Sequence, residues 1–302
     1  IQRGLIQDDG HFLALIGRSA QLAVHGQRQH AAPGLAQVVI AGKAAGHVFR
    51  QAQVDGCPGQ VTQGLAGLAG ALALCIGFCG GVSAFAVLAA TFFCTVAAGK
   101  LSGAVGAEIG LRLHEKAGAR DAVQIVCNVL VGALSLALAA LTGREVFIWC
   151  YGGAMASSLA DSMASELGVL SRTPPRDILT RRRVTPGLSG GVTALGLGAS
   201  ALGAAIIGGL YGALRASLPL ALTCTAAGFL AALADSVLGS CAQVKYRCPV
   251  CGALTEKPVH CGEPGKLERG ARWMTNDAVN FLGNLAGAAL AAAGYALWSS
   301  AL

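Results

Sequence analysis

From Gly64 to Gly99 the chain carries no charged residue. A helix needs only about 20 apolar residues to cross a bilayer. The length and neutrality of this run predict two short spans broken near Gly80-Gly81. Further spans are predicted over about 122–141, 146–166, 187–212, 217–238 and 278–300. Composition agrees, with 54% hydrophobic and 12% charged residues, against about 25% charged in soluble domains. The expected fold is an all-α membrane protein: a bundle of about seven transmembrane helices over residues 64–302, with the lipid bilayer as its surroundings. Its 43 glycines suit helices that approach closely through small residues.

Charged loops orient the bundle. Loop 100–121 holds Lys100, Arg112, Lys116 and Arg120; loop 169–186 holds Arg172, Arg176, Arg181, Arg182 and Arg183; loop 239–277 holds Lys245, Arg247, Lys257, Lys266, Arg269 and Arg272. Counting helices puts all three on one face, and the positive-inside rule makes that face cytoplasmic, in a bacterial cytoplasmic membrane or an organelle membrane. The net charge of +7 is explained by these loops, and no nucleic-acid partner is expected. Residues 1–63 differ in composition, with ten of the twelve Gln and four of the six His, and no run long enough to span. They read as a disordered or amphipathic extension, or as a wrongly assigned gene start.

Polar residues interrupt the apolar pattern in four places. Ser158, Asp161, Ser162 and Ser165 share one helix face, with Glu166 beside it, and Asp235-Ser236 ends a second span. Asp121, Gln124 and Asn128 open a third span, and Asp277, Asn280 and Asn284 open a fourth at the same i, i+3, i+7 spacing. This pairing points to an internal motif duplication. Helix directions place all four clusters at the cytoplasmic end. Amides in membrane helices also serve simply to bind neighbouring helices, and an Asp near a helix end can snorkel or cap. Four clusters at one depth favour a site.

Carboxylates with amide oxygens suit Mg²⁺, which is commonly held by one or two carboxylates plus phosphate oxygens. Arg, the preferred partner of phosphate, is abundant in the adjoining loops. Arg181-Arg182-Arg183 leads into Pro186-Gly187-Leu188-Ser189-Gly190-Gly191, a Gly-rich turn expected to open a helix and offer backbone N–H groups to an anion. Cys248-Pro249-Val250-Cys251 followed by His260-Cys261 offers a ligand set for a structural Zn²⁺; the alternative is a loop of reduced thiols. The cysteines within the apolar spans read as small hydrophobes.

The segments Ala160-Asp161-Ser162-Met163-Ala164-Ser165-Glu166-Leu167-Gly168, Gly187 to Thr193, Ala234-Asp235-Ser236-Val237-Leu238-Gly239 and Asn276-Asp277-Ala278-Val279-Asn280 resemble, in this order, the integral-membrane domain-of-unknown-function-92 family. That family includes eukaryotic transmembrane protein 19, and its plant relatives are phytyl-phosphate kinases. The resemblance covers roughly residues 64–302 and fails over 1–63. It implies phosphoryl transfer from a nucleoside triphosphate, expected to be CTP, to an isoprenoid monophosphate. On this reading Asp161 and Asp235 hold Mg²⁺, and Glu166 is a third ligand or an orienting base. Gln124, Asn128, Asp277, Asn280 and Asn284 bind phosphate or ribose, while Arg181, Arg182, Arg183, Ser189, Gly190 and Gly191 grip the triphosphate.

The competing reading is a carrier, since buried acids and amides also mark ion pathways. Carrier sites lie near the bilayer midplane, whereas these clusters lie near one face. That difference favours an enzyme.

Overall fold

The computed structural model describes residues 61–108 and 122–301. Nearly all of the 1–63 segment, the basic residues Arg112, Lys116 and Arg120, and Asp121 lie outside the described residues. Six helices are described: α1 (Val61–Glu108), α2 (Ala122–Thr142), α3 (Val146–Gly168), α4 (Ala194–Leu214), α5 (Leu218–Cys241) and α6 (Asn276–Ser300).

Against about seven expected spans, six helices are described, the first of them made of two helices joined at a kink. The two short spans over 64–99 belong to one 48-residue element, α1. The expected break is present: Gly81 has φ 66° and ψ −163°, outside the helical region, and Gly77 comes back toward the ring of Phe85. A single glycine supplies this break because it alone enters that backbone region without strain. No loop intervenes, and the two helices join directly at Gly81.

The span expected over 187–212 also starts later than expected. Residues 187–193 form a turn and a short strand, and the helix begins at Ala194, where the Thr193 hydroxyl accepts from the Gly196 N–H at 3.0 Å. Left-handed Gly187 and Gly190, at φ 86° and 85°, prevent the helix from extending backward.

Five helices are long and apolar enough to cross a membrane: α2, α4, α5, α6 and the Gly67–Val105 part of α1. The sixth, α3, has too polar a composition, and it is the hub of the bundle, packing against all five others. Its residues from Tyr151 to Ala160 are buried without interruption. Contact is close because glycines line the seams. Gly153 and Gly287 bring α3 and α6 together backbone to backbone, Gly203 lies on Leu159 and Ala160, and Gly228 lies on Ala156. Without a hydrophobic force between helices in lipid, such close packing holds the bundle together. The Tyr151 hydroxyl donates to the carbonyl of Ala84 at 2.6 Å, tying α3 to α1 just beyond the break.

Large apolar side chains face outward, among them Phe78 and Leu141, each 82% exposed. In water this would be an aggregation surface; in a bilayer it is the lipid-facing wall.

Short strands occupy the loops at the end where α3 and α5 finish and α2, α4 and α6 begin. Strand β1 (Arg176–Asp177) pairs antiparallel with β2 (Gly191–Val192). In the α5–α6 loop, β3 (Lys245–Arg247), β4 (Leu254–Thr255) and β7 (Lys266–Arg269) form a sheet in the order β4-β3-β7, and β5 (Val259–His260) pairs with β6 (Glu263–Pro264).

Candidate functional site

The polar motifs gather at the loop-bearing end. Asn284 is 2% exposed, and its Nδ2 donates to the carbonyls of Cys127 at 3.4 Å and Asn128 at 3.3 Å. The two amide motifs therefore meet, α6 against α2. The Asp235 carboxylate packs on Gly283 of α6, where an added Cβ would sit 3.0 Å from Oδ2. The Glu166 carboxylate faces Gly99 of α1 in the same way, at 3.7 Å. Gln124, Asp161, Asp277 and Asn280 are half-buried at this end, and Ser158 and Ser162, beside Asp161, are buried. Among the described residues, Asp161, Glu166 and Asp235 do not converge with one another into a cluster of three metal donors. A hard cation here would need oxygen from its substrate to complete its shell, as Mg²⁺ commonly does.

The α3–α4 loop is organised by Asp177, a residue that sequence reasoning passed over. Its Oδ1 accepts from the N–H groups of Leu179 at 3.1 Å and Thr180 at 2.8 Å and from the Thr180 hydroxyl at 3.1 Å. Its Oδ2 accepts from the Ser240 hydroxyl at 2.7 Å, at the end of α5. Burial pushes this carboxyl up, but the four hydrogen bonds outweigh burial and hold it at about 2.

Beside this knot lies a cavity of about 360 Å³ lined by Thr173, Pro174, Arg176, Arg183, Val192, Thr193 and Ala194. Arg176, whose guanidinium donates to the Arg181 carbonyl at 3.2 Å, and Arg183 thus line a cavity together with the N-terminus of the 21-residue α4, where backbone N–H groups and the helix dipole favour an anion. Arg183 was a sequence candidate and Arg176 was not. Arg181 and Arg182 are exposed and are not part of the cavity lining.

The Gly-rich turn is engaged within the protein. The Ser189 N–H donates to Glu256 Oε1 at 2.6 Å, and the Ser189 carbonyl accepts from Lys245 Nζ at 2.7 Å. The Gly191 N–H donates to Leu188 O at 3.1 Å, and Gly190 lies so close to the backbone of Ser240 that a side chain there would collide with it. Lys245 is fully buried, and burial first, then Arg269, brings its amine down to about 8. Neither Lys245 nor Glu256 shows a local sequence signal, since each meets Ser189 from far along the chain.

In the α5–α6 loop, Cys248, Cys251, His260 and Cys261 bring one donor atom each within 4.8 Å of one another. The backbone N–H of Cys251 hydrogen-bonds to the Cys248 sulfur and is the main cause holding that thiol down, at about 6.

A multi-helix integral membrane protein with its polar residues and folded loops collected at one end is the class these features define. The family model "Integral membrane protein DUF92" matches residues 61–288, and the chain belongs to that family. It is 32% identical to Protein PGR of Arabidopsis thaliana over 248 residues, covering 72% of this chain and 83% of the plant protein. It is also 32% identical over 167 residues to an uncharacterized membrane protein, MJ0933, of Methanocaldococcus jannaschii, covering 54% of this chain and 66% of that one. No solved structure matches the chain.

Proposed function

We propose that this chain is a membrane-bound phosphotransferase. It moves the terminal phosphoryl group of a nucleoside triphosphate, CTP by the family resemblance, to an isoprenoid monophosphate at the cytoplasmic face. An oxygen of the acceptor monophosphate attacks the terminal phosphorus and forms a new P–O–P link. The bond to the nucleoside diphosphate breaks, and that diphosphate leaves with the electron pair. Such transfer needs chiefly positioning and charge neutralisation.

The observation that carries this reading is the cavity between Arg176 and Arg183 at the start of α4. It offers fixed positive charge at a helix end, the depth at which the headgroup of a lipid-borne phosphate lies. Asp161 and Asp235, at the same end of the bundle, would hold Mg²⁺, which would neutralise phosphate charge. Glu166 would orient the acceptor. Gln124, Asn128, Asp277, Asn280 and Asn284 supply amide and carboxylate groups for ribose or phosphate, with Asn284 also holding α6 to α2.

Membranes expressing the chain are incubated with labelled CTP or ATP and with phytyl, geranylgeranyl or farnesyl monophosphate. The expected result is label in a prenyl diphosphate, lost in Asp161→Asn. Absence of label with every pair, from protein shown to be folded, rejects the kinase and moves attention to solute flux in liposomes.

A further inference from the structure

We propose that Cys248, Cys251, His260 and Cys261 bind one Zn²⁺ in a closed structural site, and that this site holds the ribbon which pins the Ser189–Gly191 turn.

A tetrahedral centre with Zn–S near 2.3 Å and Zn–N near 2.0–2.1 Å has ligand-to-ligand edges of about 3.8 Å for S···S and about 3.5 Å for S···N. Cys251 Sγ lies 3.8 Å from Cys261 Sγ and 3.5 Å from His260 Nδ1, and Cys261 Sγ lies 3.2 Å from the same nitrogen. The fourth donor, Cys248 Sγ, completes a group within 4.8 Å. Four atoms from two separate turns therefore already sit near the corners of one coordination tetrahedron.

The backbone on both sides is shaped for this. In the first turn the Cys248 N–H donates to Ala253 O at 2.9 Å and the Gly252 N–H returns to Cys248 O at 3.0 Å, with Gly252 left-handed at φ 70°. In the second, Cys261 itself is left-handed at φ 55° and is followed by Gly262 at φ 80°. A non-glycine residue in that region is strained, and such strain persists where the surroundings impose it. Holding the Cys261 thiol toward Cys251 and His260 is what the strained turn achieves.

Donor chemistry selects the metal. Three thiolates and an imidazole are a soft-to-borderline set, unsuited to Mg²⁺ or Ca²⁺ and suited to zinc. All four positions are filled by protein, so no open position remains for substrate and the role is structural.

The ribbon's position gives the metal a remote effect. Lys245 stands three residues before Cys248, and Glu256 stands five residues after Cys251. These two side chains clamp the carbonyl and the N–H of Ser189. Ordering the ribbon therefore orders the turn that leads into α4. Neither half of the proposal depends on the kinase reading.

The test uses the full chain purified in detergent without added metal. Expected is one zinc per chain by elemental mass spectrometry, falling at least tenfold in Cys251→Ser. His260→Cys should retain zinc in a four-thiolate site, and Cys241→Ser, at an exposed cysteine outside the group, should retain it as well. Hydrogen exchange at Ser189 should speed up on chelation. Sub-stoichiometric metal in folded protein, iron in place of zinc, or a native Cys251–Cys261 disulfide overturns the site. Zinc present with Ser189 exchange unchanged by chelation overturns the pinning. These readouts need no turnover, so failure of the kinase reading is separately visible.

Discussion

The hydroxyl of Ser240 reaches Asp177 across 63 positions of sequence and donates a 2.7 Å hydrogen bond to its carboxylate. That bond fastens the arginine-bearing α3–α4 loop to the last turn of α5. Losing one charge-assisted bond of this kind costs about 1.5–3 kcal/mol. Asp177→Asn should therefore loosen residues 171–193, read as faster hydrogen exchange there, while the helices keep their protection.

Acid should have the same effect on the unaltered protein. The Asp177 carboxyl is held at about 2, below its ordinary 3.8. A lowered folded-state value means its contribution is complete above the ordinary value and is lost as pH falls through about 2. Loop exchange, corrected for intrinsic rate, should accelerate from about pH 4 downward. An acid response in this window that persists in Asp177→Asn would assign it to another group.

Arg176 and Arg183 should govern affinity for the anion. A hydrogen bond to a charged group contributes about 1.5–3 kcal/mol, or about 10- to 100-fold in binding. Arg176→Gln and Arg183→Gln should each raise the KM for the phosphate-bearing substrate by that order. Arg172→Gln, exposed and outside the cavity, should leave it unchanged.

Asp161→Asn and Asp235→Asn should abolish transfer of label to prenyl diphosphate while the protein still accumulates in membranes. Activity near that of the unaltered chain in Asp161→Asn would remove it from the metal assignment.

Packing around α3 admits a sharper contrast. A side chain at Gly153 would press into the backbone of Gly287, whereas one at Gly209 meets nothing within 4 Å. Overpacking costs about 1–3 kcal/mol or more. Gly153→Val should lower the detergent-solubilised melting temperature and the yield of monodisperse protein, and Gly209→Val should leave both unchanged.

Much of this architecture could be read from the chain. Long neutral runs marked the helices because lipid tolerates little else, and Gly80-Gly81 marked the break because glycine escapes helical dihedrals. The match of Gln124-Asn128 with Asn280-Asn284 anticipated motifs that meet in space at Asn128 and Asn284. The rest was not legible for a physical reason. Asp177, Lys245 and Glu256 act on partners 56 to 67 positions away, and no local periodicity encodes such a pairing. Arg176 looked like one of many loop cations until folding set it beside Arg183. The short strands at the loop end escaped notice because runs of two to four residues carry too little alternation to detect.

The enclosure of α3 has a consequence for how the protein is made. Charged residues within a membrane span are costly, and α3 carries Asp161 and Glu166 toward its C-terminal end, within a helix already too polar to qualify as a span by composition. Alone at the translocon it would be a poor candidate for release into lipid. Only Gly143, Arg144 and Glu145 separate it from apolar α2, so the two can enter as a hairpin. The helices that cover its remaining faces emerge later, α4 only after a further 25 residues (169–193). Biogenesis must therefore shelter a half-covered polar helix until the C-terminal half of the chain arrives, and a chain cut after α3 should be a substrate for membrane quality control.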